Sequence, residues 1–479
     1  RIYNMNRRDA LKLSAVGTTS LLLTQHPMAN MLNLGPLTLR EAFGRDFKFG
    51  VATAAYQIEG AWNLDGKGPS IWDTFSHKKG KILNGDNGDV SCDFYHNFSQ
   101  DLALLQSMNM DVFRFSTAWS MIMPEGRGPL NIEGIDFYHR VIDRCLALGI
   151  EPWLTCYHWD LPQALQDEGG WFNRDSIAWF SDFVEVLAKY YGDKVKHWMV
   201  FNEPMAFTGL GYMSGGHAPG IRSFKQFKAA VHHVTVAQGE GGRIIKELLP
   251  DAIVGTTFSC TAVEPKSNAP RHQKAAKKAD ALFNRLFIEP AMGMGYPTED
   301  LSMIQGIERW VKDGDMERAT FDFDFIGLQN YFRSVARFSF WPPVFWANLV
   351  KANKLTKEEN ITEMGWEVSP EGMYHVLKQF GEYGKRIIVT ENGAAFEDHV
   401  EGNFVHDSRR LDFYKQYIGQ VLRAKREGIP IDGYFAWTFL DHFEWAEGYH
   451  PRFGIVHVDF ENQERLIKDS GLWFKEQLR

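Results

Sequence analysis

The chain has 479 residues, of which 44% are hydrophobic and 23% charged, proportions that are typical of soluble globular proteins. Its formal net charge of −8 and the lack of a long basic run argue against a nucleic-acid-binding protein. The length fits two or three ordinary domains, or one α/β barrel with insertions. The four cysteines form no Cys-x-x-Cys pair and no histidine lies at metal-ligand spacing from them, so we interpret them as buried thiols.

The first 30 residues resemble a twin-arginine export signal. Arg7 and Arg8 are followed by Leu11 and Lys12, and then by a short, mildly apolar run over residues 13–23. This run is too short to span a membrane, and a basic amphipathic helix is the alternative interpretation. We therefore predict a signal peptide over residues 1–30, a linker over residues 31–45 and one folded domain over residues 46–479. A functional signal would make the protein periplasmic or secreted, and a non-functional one would leave it in the cytoplasm.

Strand-like and helix-like patterns alternate from residue 46 onward. Eight short apolar runs predict strands at 47–53, 112–118, 151–157, 198–201, 253–258, 325–330, 387–390 and 431–437. Segments with helical spacing lie between them, at 95–108, 135–148, 176–191, 224–249, 370–383 and 409–427. Eight strand–helix units in one run predict an α/β fold of one domain, a (β/α)8 TIM barrel with long loops after its strands.

An open, doubly wound sheet is the structural alternative to the barrel. Such a fold would carry a glycine-rich phosphate-binding turn after its first strand. The sequence Gly-Val-Ala-Thr-Ala-Ala at residues 50–55 does not have that pattern, so the barrel is favoured.

Two glutamates follow predicted strands that lie about 190 residues apart. Glu203 follows the fourth strand and Glu391 follows the seventh. Because parallel barrel strands end at one mouth, the two carboxylates are expected to meet there. A pair of carboxylates around a glycosidic bond divides the chemistry: one protonates the leaving oxygen, and the other attacks the anomeric carbon or activates water.

Further polar and aromatic residues stand at the ends of the other predicted strands. They are Gln57, Arg114, His158, Trp159, Asn330, Tyr331, Trp437, Glu444 and Trp445. Amides, acids, a histidine and flat aromatic rings at one mouth are typical of a sugar-binding site. Alone, His158 would more often be a hydrogen-bonded core histidine, and Arg114 a structural ion pair. A metal-dependent hydrolase would need several His and Asp ligands at strand ends, and only His158 is well placed, so we predict no metal and no cofactor.

The motifs at the strand ends resemble those of family 1 glycoside hydrolases of the β-glucosidase type. The sequence Phe-Asn-Glu-Pro at 201–204 is similar to the family's acid/base motif, and Thr-Glu-Asn-Gly at 390–393 is similar to its nucleophile motif. Both stand in the family's order, and the resemblance runs from about residue 46 to about residue 475. It implies a retaining exo-β-glycosidase with Glu391 as the nucleophile and Glu203 as the acid/base.

The resemblance also implies substrates and roles for the surrounding residues. β-Glucosides and cello-oligosaccharides are the expected substrates, with β-galactosides and β-fucosides as side activities and transglycosylation as a second outcome. We expect neither a nucleic-acid nor a membrane partner. Arg114, Asn330 and Tyr331 are expected to orient Glu391. The residues expected to hold the sugar are Gln57, His158, Trp159, Asn202, Tyr331, Trp437, Glu444, Trp445 and Phe453.

The sequence departs from the family pattern at His442, where relatives usually have Asn. His442 lies two residues before Glu444, so the choice between glucose, galactose and fucose stays open. Family members that act on 6-phosphorylated sugars lack the Glu444-Trp445 pair, so we favour an unphosphorylated substrate. A sugar-binding protein without catalysis is the rival from another class, and the presence of both strand-end acids argues against it. Trp341 and Trp346, after the sixth strand, are candidates for the leaving-group side.

Overall fold

The computed structural model describes residues 37–340 and 347–479, and its centre is a closed barrel of eight parallel strands. The strands are β1 Lys48–Ala52, β2 Val112–Ser116, β3 Glu151–Tyr157, β4 His197–Asn202, β5 Ile253–Ser259, β6 Phe325–Gln329, β7 Arg386–Asn392 and β8 Ile431–Trp437. Each strand pairs with the next one along the chain, and β8 pairs with β1 to close the barrel. The predicted (β/α)8 barrel is confirmed, and each predicted strand differs from the observed one by at most two residues at either end.

Each barrel strand is followed along the chain by a helix of nine residues or more. These helices are α1 Phe94–Ser107, α2 Ile132–Ala147, α3 Ser176–Tyr191, α4 Phe224–Leu248, α5 Pro270–Asp280, α6 Pro370–Gly381, α7 Ser408–Arg426 and α8 Asp469–Gln477. In α3, Phe180, Val184, Leu187 and Tyr191 recur every three or four residues, and all four are fully buried. This spacing places them on one face, and burial of that face against the barrel stabilises the helix.

Aromatic rings fill the inside of the barrel. Trp153 of β3 lies 5.9 Å from Phe325 of β6 and 5.0 Å from Phe435 of β8, measured between ring centroids. Because these strands are not neighbours in the sheet, the rings meet inside the barrel. Gly255 of β5 makes room for them, since a Cβ atom there would lie 2.4 Å from the Phe325 ring. The interior is a packed core, and space for a ligand is left at the carboxyl ends of the strands.

A short helix, Leu39–Phe43, precedes β1 in the segment that the sequence predicts to be a linker. Thr38 closes a capping box at the start of this helix. Leu39 and Phe43 are buried, and the Phe43 ring lies 4.4 Å from that of Phe47. This part of the predicted linker is therefore packed on the barrel. A helix of five residues is too short to show a hydrophobic period, so its pattern does not stand out from a loop.

Short strands outside the barrel extend the loops that follow β5 to β8. One small sheet contains Ala262–Pro265, Arg333–Phe338 and Ala347–Leu349, and two hairpins pair His399–Glu401 with Phe404–His406 and Val456–Val458 with Arg465–Ile467. These segments surround the mouth of the barrel because they continue from the carboxyl ends of its strands.

The four cysteines are free and buried, as the sequence predicts. Within residues 37–340 and 347–479, no helix is both long and apolar enough to cross a membrane. The predicted export signal over residues 1–30 and the candidates Trp341 and Trp346 lie outside the described residues.

Candidate active site

Glu391, in β7, is held by one side chain from β2 and one from the loop after β6. Arg114 of β2 donates a hydrogen bond to Glu391 Oε1, and the Tyr331 hydroxyl donates to Oε2 at 2.5 Å. The carboxyl is only 3% exposed, and burial raises its pKa above the ordinary value. The charge of Arg114 and the two hydrogen bonds act against that rise because they stabilise the ionised form. The contacts expected for Arg114 and Tyr331 are therefore present.

Glu203 lies directly after β4 and has a very different environment. Its backbone is left-handed, with φ of 47°, which is uncommon outside glycine and turns the chain out of the strand. Its side-chain Oε1 is buried without a hydrogen-bond partner. Burial and then the negative charge of Glu391 raise the pKa of Glu203 to about 8. At neutral pH, Glu203 therefore keeps a proton while Glu391 has a cation and a phenol beside it.

Asn202 connects the nucleophile side of the site to His158. Its Oδ1 accepts hydrogen bonds from Arg114 at 2.6 Å and Gln329 at 2.8 Å, which fixes the direction of the amide. Its Nδ2 then donates to His158 Nε2 at 3.0 Å. Burial, followed by the charge of Arg114, lowers the pKa of His158 well below its usual value, so the ring is neutral and carries its hydrogen on Nδ1. That Nδ1 is buried without a partner and can donate to a ligand.

A cavity of about 520 Å³ opens between these groups. Its lining includes both glutamates and seven of the predicted sugar-binding residues, namely His158, Trp159, Tyr331, Trp437, Glu444, Trp445 and Phe453. Four other predicted residues do not line it and are fully buried, namely Gln57, Arg114, Asn202 and Asn330. The predicted set therefore forms the cavity wall and a layer of hydrogen-bonding groups behind that wall.

Aromatic rings form one wall of the cavity. Trp445 stacks on Trp159 with 4.7 Å between centroids, and His158 lies 6.1 Å from Trp437 at an angle of 23°. Flat aromatic faces of this kind suit the C–H faces of a sugar ring. Behind the wall, the Trp159 indole donates to the Asn202 carbonyl at 2.9 Å, which ties the aromatic wall to the strand that carries Glu203.

The imidazole ring of His442 makes a hydrogen bond to the carboxylate of Glu444. An Asn at this position would present a shorter amide side chain to the same carboxylate. His442 Nε2 lies 2.6 Å from Glu444 Oε2, and its Nδ1 lies 3.1 Å from the carbonyl of Leu440. Both ring nitrogens of His442 therefore face an oxygen atom. Gln57 also donates to Glu444 Oε2, at 3.3 Å. These two contacts occupy one oxygen of Glu444 and leave the other for a ligand.

Asn330, which the sequence predicts to support Glu391, is joined to it through the main chain. Its side-chain amide donates to the carbonyls of Cys260 at 2.9 Å and Phe332 at 3.0 Å. Its link to Glu391 runs through the main chain, where the Asn330 N–H lies 3.4 Å from the Glu391 carbonyl. The side chain of Asn330 therefore shapes the loop that carries Tyr331, and its main chain is bonded to that of Glu391. Side chains alternate across a strand, so the residue beside Asn330 faces the barrel in its place.

Gln329 is a strand-end residue to which the sequence interpretation assigned no role in the site. It is the last residue of β6, fully buried, and it donates to Asn202 Oδ1 as described above. A group of residues that the sequence interpretation missed is apolar and lies in the segments that connect the barrel strands: Met205, Leu210, Met213, Leu282, Phe283, Phe332, Leu349, Met364 and Trp366. No strand-end pattern could identify these residues, because the conformation of long loops brings them together.

Asp398, Asp441 and His457 are the group within the described residues whose spacing would suit a metal ion. The ammonium of Lys468 lies 2.6 Å from Asp398 and 2.7 Å from Asp441. Lys468 is fully buried, and Arg410 and Arg452 also pair with Asp398 and Asp441, so these cations already balance the two acids. The cluster stabilises the chain beside His442 and lies outside the lining of the cavity.

Comparisons with known proteins agree with this geometry. The family model for glycosyl hydrolase family 1 matches residues 39–479 of this chain. Beta-glucosidase A of Acetivibrio thermocellus is 40% identical over 442 residues, which cover 91% of this chain and 98% of that protein. The 1,4-beta-D-glucan glucohydrolase of Thermotoga neapolitana is 42% identical over 441 residues, which cover 91% of this chain and 98% of that protein. A solved structure, the family 1 β-glucosidase of Thermotoga maritima, superposes with a TM-score of 0.87 at 40% identity, over 91% of this chain and 97% of that chain. This chain therefore belongs to glycosyl hydrolase family 1.

Proposed function

We propose that this protein is a retaining exo-β-glycosidase that removes terminal β-D-glucosyl residues from small β-glucosides or cello-oligosaccharides. The observation that carries the proposal is the unequal environment of two buried carboxyls in one cavity. Glu391 has Arg114 and Tyr331 as donors, and Glu203 has a pKa of about 8 and an oxygen without a partner. A nucleophile must be ionised and an acid must be protonated, and the two donors at Glu391 and the raised pKa of Glu203 favour that division of roles.

In the first step, Glu391 attacks the anomeric carbon and the glycosidic bond breaks. Glu203 gives its proton to the leaving oxygen, so the leaving group departs as a neutral alcohol. The product of this step is a glycosyl ester on Glu391. Arg114 bonds both Glu391 and Asn202, so it keeps the nucleophile aligned while the carboxylate loses its charge.

In the second step, water attacks the glycosyl ester and Glu203 acts as a base. Esterification removes the negative charge of Glu391, which is one of the causes of the raised pKa of Glu203. The pKa of Glu203 therefore falls between the steps, and the carboxylate can take a proton from water. Two inversions at the anomeric carbon give net retention. A sugar hydroxyl that replaces water would give transglycosylation by the same chemistry.

The glycone is held by buried polar atoms and aromatic faces. His158 Nδ1 and Gln57 Oε1 are buried without partners, so sugar hydroxyls can satisfy them. The free oxygen of Glu444 is a further acceptor, and Trp437 offers a ring face. Side activity on β-galactosides or β-fucosides depends on how the His442–Glu444 pair accepts the hydroxyl at C4.

The test is hydrolysis of matched β-glucoside, β-galactoside, β-fucoside, β-mannoside and 6-phospho-β-glucoside substrates, with the product followed by NMR. We expect the highest kcat/KM for the β-glucoside, and the β-anomer of glucose as the first product. Initial formation of the α-anomer would refute the retaining mechanism. Preference for the 6-phospho substrate would contradict the glycone site, because the carboxylate of Glu444 would repel a phosphate group.

We propose separately that residues 1–30 direct export through the twin-arginine route, on the basis of Arg7 and Arg8 followed by an apolar run. The double substitution Arg7→Lys and Arg8→Lys keeps the charge and is expected to leave the enzyme in the cytoplasm. Activity would be compared in periplasmic and cytoplasmic fractions, with Lys12→Arg as the control. Equal distribution of the wild-type chain and the double variant would reject this route.

A further inference from the structure

We propose that the leaving-group side of the cavity binds an apolar aglycone, an alkyl or aryl group, in preference to a second sugar. This inference rests on the function proposed above. Glu203 must reach the leaving oxygen in order to protonate it, so the leaving group has to lie against the chain that follows Glu203. That chain is an apolar helical segment.

The segment after Glu203 turns one apolar stripe toward the cavity. Met205, Ala206, Gly209, Leu210 and Met213 line the cavity, and their positions recur with helical spacing. None of the five side chains can donate or accept a strong hydrogen bond. A ligand that leaves past Glu203 therefore meets hydrocarbon and thioether surface.

Two methionines converge over Gly209. A Cβ atom at Gly209 would lie 2.6 Å from the Met205 methyl carbon and 4.0 Å from that of Met213. The absence of a side chain at Gly209 lets both methionines fold over the same spot. Methionine side chains are flexible and polarisable, so this surface can adapt to apolar groups of different shapes.

The opposite wall of the leaving-group region is also apolar. Trp366 lies 5.4 Å from Tyr331 and 5.1 Å from Phe332, measured between ring centroids. Leu349 and Met364 line the cavity beside them. Because Tyr331 is bonded to Glu391, this wall begins at the nucleophile and runs outward.

Amide and basic side chains are missing from the described lining, whose polar residues outside the glycone site are Ser214, His217, Ser259, Thr261, Ser334 and Glu447. Within residues 37–340 and 347–479, the cavity is lined by no Asn, Gln, Asp, Lys or Arg side chain. Hydroxyl groups of a sugar need such amides and charges for paired hydrogen bonds. His217 is neutral because burial lowers its pKa to about 4, and its Nδ1 is the buried ring nitrogen here that could meet a hydroxyl. Leu210, at the rim, has 39% of its surface exposed to solvent. This composition favours desolvation of an apolar group over recognition of hydroxyls.

The test compares methyl, butyl, hexyl and octyl β-glucosides with cellobiose. The alkyl alcohols have nearly the same basicity, so differences in kcat/KM report contact with the chain. Full burial would raise kcat/KM by about fourfold for each methylene, and we expect at least a tenfold rise from methyl to hexyl. A flat alkyl series, or cellobiose exceeding hexyl β-glucoside, would overturn the inference. Failure to hydrolyse any β-glucoside would instead reject the proposed function.

Two substitutions in the apolar wall and one control distinguish a specific loss of aglycone contact from a general effect on folding. Leu210→Asn and Met213→Gln place amides on the stripe and are expected to lower the hexyl-to-methyl ratio of kcat/KM by about tenfold. Leu248→Asn is the matched control, because Leu248 is 41% exposed and does not line the cavity. The inference fails if the control lowers the ratio equally, or if the two variants leave the ratio unchanged. It also fails if they lower kcat/KM for cellobiose as much as for the hexyl glucoside.

Discussion

The variant Tyr331→Phe tests how Glu391 is kept ionised. It keeps the ring that packs 5.4 Å from Trp366 and removes only the hydroxyl that donates to Glu391 Oε2 at 2.5 Å. This hydrogen bond stabilises the charged form of the carboxyl, so its loss raises the pKa of Glu391 further. The acidic limb of kcat/KM is therefore expected to move to higher pH.

The size of the effect follows from the kind of hydrogen bond. A hydrogen bond to a charged group contributes about 1.5–3 kcal/mol. At about 1.4 kcal/mol per factor of ten, the ionised fraction of Glu391 below the limb falls by about ten- to a hundredfold. Above the limb the loss is smaller, because the attacking carboxylate gives up the charge that the Tyr331 hydroxyl stabilises.

The assay is kcat/KM for one β-glucoside over the pH range that contains the acidic limb. Tyr374→Phe is the matched control, because the Tyr374 hydroxyl donates to a carboxylate of Glu427 at 2.6 Å and neither residue lines the cavity. The control should leave the limb in place. An unchanged limb in Tyr331→Phe, or a limb at lower pH, would refute the role assigned to this hydroxyl.

Three further predictions concern the acid, the glycone site and the stability of the barrel. Glu203 needs its proton in the first step and has a pKa of about 8, so kcat/KM should fall above about pH 8. A pH profile that stays flat well beyond that pH would contradict the role of Glu203 as the acid. His442→Phe removes the hydrogen bond to Glu444 Oε2 and should raise KM about tenfold or more with a smaller change in kcat. A large fall in kcat with a smaller change in KM would mean that His442 acts on the chemical step. Lys468→Met removes the cation that Asp398 and Asp441 share and leaves each of them with one arginine, Arg410 and Arg452 respectively. It should therefore cost about 3 kcal/mol in urea unfolding, the low end of the range for breaking a buried ion pair. Adding Asp398→Asn should recover part of that loss, and an unchanged midpoint for Lys468→Met alone would show that the ion pairs do not stabilise the fold.

The barrel and the two acids could be predicted because both depend on short-range pattern. Strands β4 and β7 are buried apolar runs that end at polar residues, and a parallel barrel brings all such ends to one mouth. The positions of Glu203 and Glu391 then follow from the strand count alone. Their different roles came from the family motifs. Their environments agree with that assignment, since Arg114 and Tyr331 donate to Glu391 whereas Glu203 Oε1 has no hydrogen-bond partner.

The orientation of adjacent polar residues could not be predicted. Gln329 and Asn330 follow each other at the end of β6, and only one of them can face the inside of the barrel. Gln329 bonds Asn202 inside, while Asn330 turns to the carbonyl of Cys260. A shift in strand register near Glu391 also changes the local alternation, and sequence periodicity does not show such a shift.

The apolar side of the cavity could not be predicted from the sequence, for a different reason. Met213, Phe283 and Trp366 are far apart in the chain and lie outside the barrel strands. Each one alone fits the pattern of an ordinary packing residue. Only the loop conformations bring them to one surface, so the leaving-group region appears in the structure and not in the motifs.

Azide rescue of two variants tests the central assignment most directly. Glu391→Gly removes the nucleophile and opens space on the face that it attacks, so added azide should react there and give the α-glycosyl azide. Glu203→Ala keeps the nucleophile, so azide should attack the glycosyl ester and give the β-glycosyl azide. The reverse pattern, read from the anomeric proton by NMR, would mean that the two glutamates have exchanged roles.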